Sequence, residues 1–140
     1  MAIERDSQPE PWTTRSFMEE IVRGSLFVAR AAPGDASACG SGADIAGYIC
    51  FWCVAGEVQI LNIAVPKHLR RKGIARKLLD FAICTGREKK AGVVTLEVRQ
   101  SNTAARRLYE SLGFRITGER PGYYGAQSGE SAILMELDIP

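Results

Sequence analysis

LNIAVPKHLRRKGIAR, residues 61 to 76, is the stretch on which the reading of the fold turns. An apolar strand ending in Ile63, Ala64 and Val65 runs into a basic connection, Pro66 to Lys72, and Gly73 then opens a helix. The first turn of a helix presents backbone N–H groups without intrahelical partners at the positive end of the helix dipole, which favours an anion such as a pyrophosphate. Gly73 and the small Ala75 let phosphate oxygens approach the backbone, and Arg70, Arg71 and Lys72 add positive charge. The candidate anion-binding set is therefore Arg70, Arg71, Lys72, Gly73, Ile74, Ala75 and Arg76. A solvated basic turn ahead of an amphipathic helix is the competing reading. Neither the Walker pattern nor the GxGxxG fingerprint is present, so a ligand here is not held in those ways.

On the N-terminal side, Thr13 to Arg23 has helical spacing, with Phe17, Ile21 and Met18 on its apolar side and Gly24 as its stop. Ser25 to Ala32 reads as a strand, and Pro33 to Asp44 as a loop rich in Gly, Ala and Ser. Ile45 to Val54 is a continuous apolar run suited to a central strand, and Ala55-Gly56 turns it into Glu57 to Val65, forming a hairpin. On the C-terminal side, Gly73 to about Lys90 is helical, with Ile74, Leu78, Phe81 and Ala82 along one side. Val93 to Val98 is a strand. Asn102 caps a helix from Thr103 to Leu112, which Gly113 stops. Phe114 to Gly118, Tyr123 with Tyr124, and Ser131 to Leu137 read as closing strands. The pattern predicts one α/β domain over residues 1–140: a mixed, mostly antiparallel sheet with one parallel pair made by a strand-helix-strand crossover, and helices on both faces.

Composition narrows the classes. The 140 residues suit one domain, and a hydrophobic share of 46% with 24% charged residues is ordinary for a soluble globular protein. A net charge of +2 is too small to argue for a nucleic-acid partner. No apolar run approaches the roughly 20 residues of a membrane span, and no charged-then-apolar leader opens the sequence, so a soluble, cytoplasmic protein without a membrane partner is expected. Cys50 and Cys53 form a CxxC pair, but Cys39 and Cys84 are distant and His68 is the only histidine. Strand positions three apart point to opposite faces, so the pair does not converge on a metal; buried free thiols, with no metal site, are expected.

Against this background the sequence resembles a known family. Arg70-x-x-Gly73-x-Ala75 looks like the (Q/R)xxGx(G/A) motif of the GNAT acetyltransferases. Leu96-Glu97-Val98-Arg99-Gln100-Ser101-Asn102, then Ala105, Leu108-Tyr109 and Leu112-Gly113-Phe114, resembles the LEVRxSNxxAxxLYxxxGF block of its RimI-type branch, the bacterial ribosomal-protein-alanine N-acetyltransferases. Pro11-Trp12, Leu61 to Val65 and Tyr123-Tyr124 match as well, so the resemblance runs from Ile3 to about Met135. It implies the GNAT fold and acetyl-coenzyme A (acetyl-CoA) as co-substrate, its pyrophosphate on the Arg70–Arg76 motif. By the same resemblance, backbone amides at Ile63, Ala64 and Val65 meet the pantetheine arm and the thioester carbonyl, Asn102 contacts the cofactor, Glu97 is the general base, and Tyr109 protonates the departing thiolate. The acceptor it implies is the N-terminal α-amine, an alanine, of a small-subunit ribosomal protein, in direct transfer without an acyl-enzyme.

The residues themselves add independent expectations. Glu97 sits among apolar residues and Thr95 in a strand of the parallel pair, which helices should cover on both faces. A carboxylate there marks a functional cleft, unless it is an exposed strand residue or pairs with Arg99. Tyr109 is either the acid or a core tyrosine with a satisfied hydroxyl. Glu57 is the rival base, and His68 is a surface-loop residue. Two departures from the family pattern stand out: the sequence starts near the family's Ile3-Glu4-Arg5 segment, so the usual first strand is expected to be missing and Ser25 to Ala32 to lie at a sheet edge; and Glu130-Ser131-Ala132 replaces an acidic pair before Ala-x-x-Met, a change expected to alter the substrate groove. An acetyltransferase for a lysine side chain or a small amine, and a non-catalytic acyl-CoA-binding module, stay open beside the main reading.

Overall fold

Thr13 sets the start of the first helix. Its Oγ1 accepts the Ser16 amide at 3.1 Å, the N-cap bond that satisfies one of the free donors of the first turn. Helix α1 (Thr14–Arg23) follows, with an Arg15–Glu19 pair one turn apart, and Gly24 at φ +71° ends it. In the computed structural model the described residues are 13–30, 45–123 and 129–139. After α1 come β1 (Leu26–Arg30), β2 (Ile45–Val54), β3 (Glu57–Ala64), a short 3-10 turn (Lys67–Leu69), α2 (Ile74–Glu88), β4 (Val93–Arg99), α3 (Thr103–Ser111), β5 (Arg115–Arg120) and β6 (Ala132–Asp138). The strands form a six-stranded sheet in the order β1-β2-β3-β4-β6-β5. β3 and β4 are parallel, and β1–β2, β4–β6 and β5–β6 are antiparallel, so the sheet is mixed as the strand-helix-strand crossover predicts.

The chain divides into two compact units: residues up to Phe51 with Asn62–Phe81, and Trp52–Leu61 with residues from Ala82 onward. In the first unit, β1 runs along β2 from Leu26↔Cys50 to Arg30↔Ile45, and the Phe51 amide extends the ladder to the Ser25 carbonyl at 3.1 Å. Ala46 to Phe51 are buried on both strand faces, which is why this run carries no polar alternation. Phe27, Phe51 and Phe81 cluster with ring centroids 4.9 to 6.1 Å apart. On the other face of β2 the buried Asn62 amide donates to the Tyr48 hydroxyl at 3.2 Å, which offsets the cost of burying it.

The second unit is governed by strand register. Ala55 (φ +52°) and Gly56 (φ +77°) are both left-handed, the conformation that a two-residue hairpin turn requires. The pairings Val58↔Val94 and Val94↔Leu137 put these side chains on one sheet face, and Glu97↔Leu134 and Leu134↔Gly118 put theirs on the other. The helix contacts described here fall on the first face. Gly86 of α2 lies over Val58, and Gly113, just past α3, lies against Leu137. Val94, Leu96 and Val98 are accordingly buried, whereas Thr95, Glu97 and Arg99 are at least partly open.

Several sequence expectations change. β5 runs on to Arg120 rather than stopping at Gly118, and Tyr123 lies in a turn, not a strand. Cys50 is buried as expected, but Cys53 is half-buried and Cys84 is exposed, because its position on α2 faces away from the sheet. Among the described residues, β1 is the outermost strand on its side of the sheet order. The expected missing first strand, Pro11-Trp12, the loop containing Cys39, and Tyr124 lie outside the described residues. Among the described residues, no helix is long and apolar enough to cross a membrane.

A Cβ at Gly86 would stand 2.6 Å from Val58 Cγ2 and 3.1 Å from Ile139 Cδ1, and both neighbours are buried. Helix propensity favours alanine over glycine by about 0.8–1.0 kcal/mol, but overpacking costs about 1–3 kcal/mol, and a β-branched strand residue has little room to retreat. Gly86→Ala is therefore expected to lower the urea unfolding free energy by up to about 2 kcal/mol. A stabilised variant would show that α2 is not seated this closely on β3.

Candidate active site

In the first unit, the end of β3 and the start of α2 are built around two left-handed residues. Leu69 is buried and anchors the connection, while Arg70, Arg71 and Lys72 are exposed. Arg70 does more than supply charge: its Nε donates to the Val65 carbonyl at 3.0 Å and ties the connection back to the strand end. Arg71 takes φ +65° and Gly73 φ +80°. A left-handed non-glycine residue is uncommon, and at Gly73 any side chain would be strained although nothing lies within 4 Å of a Cβ placed there. Glycine is thus required by the backbone turn, and the space beside it stays open.

The Lys77 amide donates to the Gly73 carbonyl at 3.0 Å, so Gly73 stands at the N-cap of α2. The amides of Gly73, Ile74, Ala75 and Arg76 are then the free donors of the first turn, and no acidic residue lies there to compete for them. This fits a pyrophosphate: free amides, the dipole's positive end, room for oxygens and an excess of basic residues. Along a strand successive N–H groups point to opposite edges, so Ile63 and Val65 share a side that Ala64 does not.

Sequence reading missed the residue that sets this geometry. A Cβ at Gly47 of β2 would stand 2.9 Å from the Ala64 carbonyl oxygen, 3.2 Å from Val65 Cγ2 and 3.3 Å from Ile74 Cγ2. A glycine inside an apolar strand is itself a signal of close backbone approach, and Gly47 carries that signal in the sequence.

In the second unit, the β4–α3 connection places the other candidates. Asn102 caps α3 as expected: its Oδ1 accepts the Ala105 amide at 3.2 Å, and its carbonyl accepts the Arg106 amide. At the far end, the Gly113 amide donates to the Glu110 carbonyl and the Phe114 amide to the Tyr109 carbonyl, both at 3.0 Å, with Gly113 at φ +101°. This is the Schellman pattern, and its accompanying apolar contact is between Tyr109 and Phe114, whose ring centroids are 5.8 Å apart. The LYxxxGF spacing therefore fixes Tyr109 twice, through its backbone and its ring, and Tyr109 is buried.

Glu97 departs from expectation. It is not buried between covering helices, because the described helix contacts lie on the opposite face. Its Oε1 meets Arg120 Nη2 at 3.1 Å, with the Glu97 side chain 30% exposed. The expected alternative partner, Arg99, is turned to Glu130 at 3.1 Å. Glu130 also accepts the Ser101 amide at 2.7 Å, so it holds the connection that carries Asn102, and the Ser131 carbonyl accepts the Gln100 amide beside it. Bonds from Ser101, first through its side chain and then its backbone, hold the Glu130 carboxyl below the ordinary value of 4.5, with a further contribution from Arg99. Glu57, at the start of β3, accepts from the Thr95 hydroxyl at 2.7 Å. His68 is exposed in the 3-10 turn. The structure thus gathers Ile63 to Val65 with Arg70 to Arg76 in one unit, and Glu97, Asn102 and Tyr109 in the other.

With this geometry described, comparison with known proteins assigns the class. The family model of the acetyltransferase (GNAT) family matches residues 1–114, and the chain belongs to that family. It is 40% identical over 138 residues to the Escherichia coli (strain K12) [ribosomal protein bS18]-alanine N-acetyltransferase, covering 98% of this chain and 87% of that protein. Its fold is similar to the crystal structure of the ribosomal-protein-S18-alanine N-acetyltransferase from Escherichia coli, with a TM-score of 0.81 at 31% identity, covering 99% and 84% of the two chains. It is also similar to yncA from Salmonella typhimurium, solved with its cofactor acetyl-CoA, with a TM-score of 0.60 at 27% identity, covering 69% and 59%.

The depressed Glu130 carboxyl makes a pH prediction. A group whose folded value lies below its unfolded value contributes stability above the unfolded value and loses it as pH falls through the folded one. Wild type and Glu130→Gln should therefore differ in unfolding free energy above pH 4.5, and the gap should close as the solution becomes more acidic. Urea titrations across this range check it, and a gap unchanged at the acid end would contradict the Ser101 contacts.

Proposed function

We propose that this chain acetylates the N-terminal α-amine of a protein, an alanine at the start of ribosomal protein bS18, with acetyl-CoA as co-substrate. The observation that carries the reading is the 40% identity over 98% of the chain to an enzyme named for that reaction. Residues 1–140 act as one GNAT domain in the cytoplasm, where the acceptor is made.

Acetyl-CoA supplies the acetyl group as an activated thioester. The first-turn amides from Gly73 to Arg76 and the cations Arg71 and Lys72 bind its pyrophosphate, while Arg70 braces the strand end and Asn102 contacts the cofactor near the cap of α3. Backbone N–H groups within Ile63 to Val65 receive the charge that develops on the carbonyl oxygen. Glu97, directly or through one water, takes the proton of the attacking amine, which needs only modest help because its pKa is near ~8. Tyr109, fixed on α3, holds a proton at its hydroxyl for the departing sulfur. No cysteine takes part, since attack by the amine needs no acyl-enzyme.

Glu97→Gln and Tyr109→Phe are each expected to lower kcat by roughly 10²–10⁴-fold. Acetyl-CoA affinity should stay near normal in Glu97→Gln, because its part is with the amine. Gly73→Val should weaken acetyl-CoA binding in calorimetry while the protein stays folded. Mass spectrometry of a peptide panel tests the acceptor: peptides opening on alanine should gain one acetyl group on the α-amine. Modification of lysine ε-amines alone would move the chain to the lysine reading, and a rate lost in Glu57→Gln but kept in Glu97→Gln would place the base on β3.

A further inference from the structure

Three residues from three segments form a chain on the open face of the second unit. Arg120 Nη2 lies 3.1 Å from Glu97 Oε1, and the same guanidinium lies 5.6 Å from the centroid of the Tyr123 ring. The connection is not local. β6 lies between β4 and β5, so Arg120 reaches across two strand spacings, about 10 Å, to meet Glu97. Register shows the path. Glu97, Leu134 and Gly118 form one row across the three strands, and Arg99, Ala132 and Arg120 form the next. The middle positions are a leucine and an alanine, and Gly118 beside them has no side chain, so the long arginine arm can lie along the face.

The other charges on this face are engaged elsewhere. Arg99 pairs with Glu130, and Arg115 pairs with Asp138 and, at 4.0 Å, with Glu136. Among the described residues, Arg120 is therefore the ion-pair partner of the Glu97 carboxylate, with Nη2 3.1 Å from Oε1. Such a contact biases the torsion of the carboxylate, whose several lone-pair sites leave room to accept a proton. The stacked Tyr123 ring in turn limits where the guanidinium can go.

We infer that Arg120 is a positioning residue: it orients Glu97 for proton abstraction through Oε1, and Tyr123 steadies Arg120. The inference rests on the reading of Glu97 as the base. It assigns to β5, whose edge position alone suggests only charged protection against strand pairing, a part in the chemistry.

Steady-state kinetics with acetyl-CoA and an alanine-opening peptide test it, using Arg120→Ala, Arg120→Lys, Glu97→Gln and the double variant Glu97→Gln/Arg120→Ala. Arg120→Ala should lower kcat by roughly 2–5-fold, the scale of losing an exposed orienting ion pair, with the KM for acetyl-CoA and the melting temperature unchanged. Arg120→Lys should recover much of the rate, since one donor suffices for one oxygen. In the Glu97→Gln background, Arg120→Ala should cost nothing further, because an effect that passes through Glu97 vanishes with it. Additive losses would overturn the inference, as would a lower KM for the amine with kcat intact, which would make Arg120 a competitor for the carboxylate. An inactive Glu97→Gln beside a fully active Arg120→Ala would overturn the positioning role and leave the base assignment standing. A fully active Glu97→Gln would remove the base assignment, and this inference with it.

Discussion

One absent methyl group sets the geometry of the anion cradle. At Gly47 the backbone of β2 comes so close to β3 and α2 that a Cβ would meet the Ala64 carbonyl oxygen at 2.9 Å and the side chains of Val65 and Ile74 just beyond it. Those three residues are the last of the strand, the first after it, and the first of the helix. A larger residue must push the strand end, the helix start or both, and a carbonyl oxygen in a sheet cannot swing aside as a flexible side chain can. Glycine in a strand costs conformational entropy and contributes no packing, so its presence here means that close approach outweighs both. The left-handed turn at Gly73 then completes the cradle, aiming the chain into α2 with four donors free.

The parts of the site legible in the sequence are those in which a local backbone requirement selects a residue type. Gly73 is legible because a glycine opening a helix lets phosphate oxygens reach free amides, and the structure adds that its backbone is left-handed. Asn102 was found because its short side chain reaches the third amide of a helix. Tyr109 was found through family resemblance, and the structure supplies a physical reason for part of the motif that carries it: in Leu-Tyr-x-x-x-Gly-Phe, the Gly is the left-handed cap and the Tyr and Phe are the ends of the Schellman turn. The strands of the first unit were legible for a similar reason, since a strand buried on both faces must be apolar throughout.

What the sequence concealed depends on register between distant segments. Covering helices are expected over Glu97, yet its side chain is exposed, on the face opposite the one that Gly86 and Gly113 approach. Its partner was sought two residues along the same strand, at Arg99. Insertion of β6 between β4 and β5 supplies each arginine with a different acid: Arg99 takes Glu130 and Arg120 takes Glu97. No local pattern announces this exchange, since register sets Arg120 level with Arg99 and its long arm reaches diagonally to Glu97 in the next row. The extension of β5 to Arg120 matters for the same reason, because a strand that stopped at Gly118 would leave the arginine off the face.

The openness of the Glu97–Arg120 pair suits the proposed role better than burial would. Breaking a buried ion pair by removing one partner costs about 3–5 kcal/mol, and a carboxylate locked that firmly would resist the movement that proton abstraction and release require. An exposed pair holds by only about 0.2–1 kcal/mol. With Glu97 30% and Arg120 55% exposed, the contact lies nearer the weak limit. It is strong enough to bias one carboxylate orientation and weak enough to yield as charge moves during each turnover. A carboxylate on β4 met by an arginine from β5 thus takes its orientation from sheet register and, at 30% exposure, stays open to an incoming group.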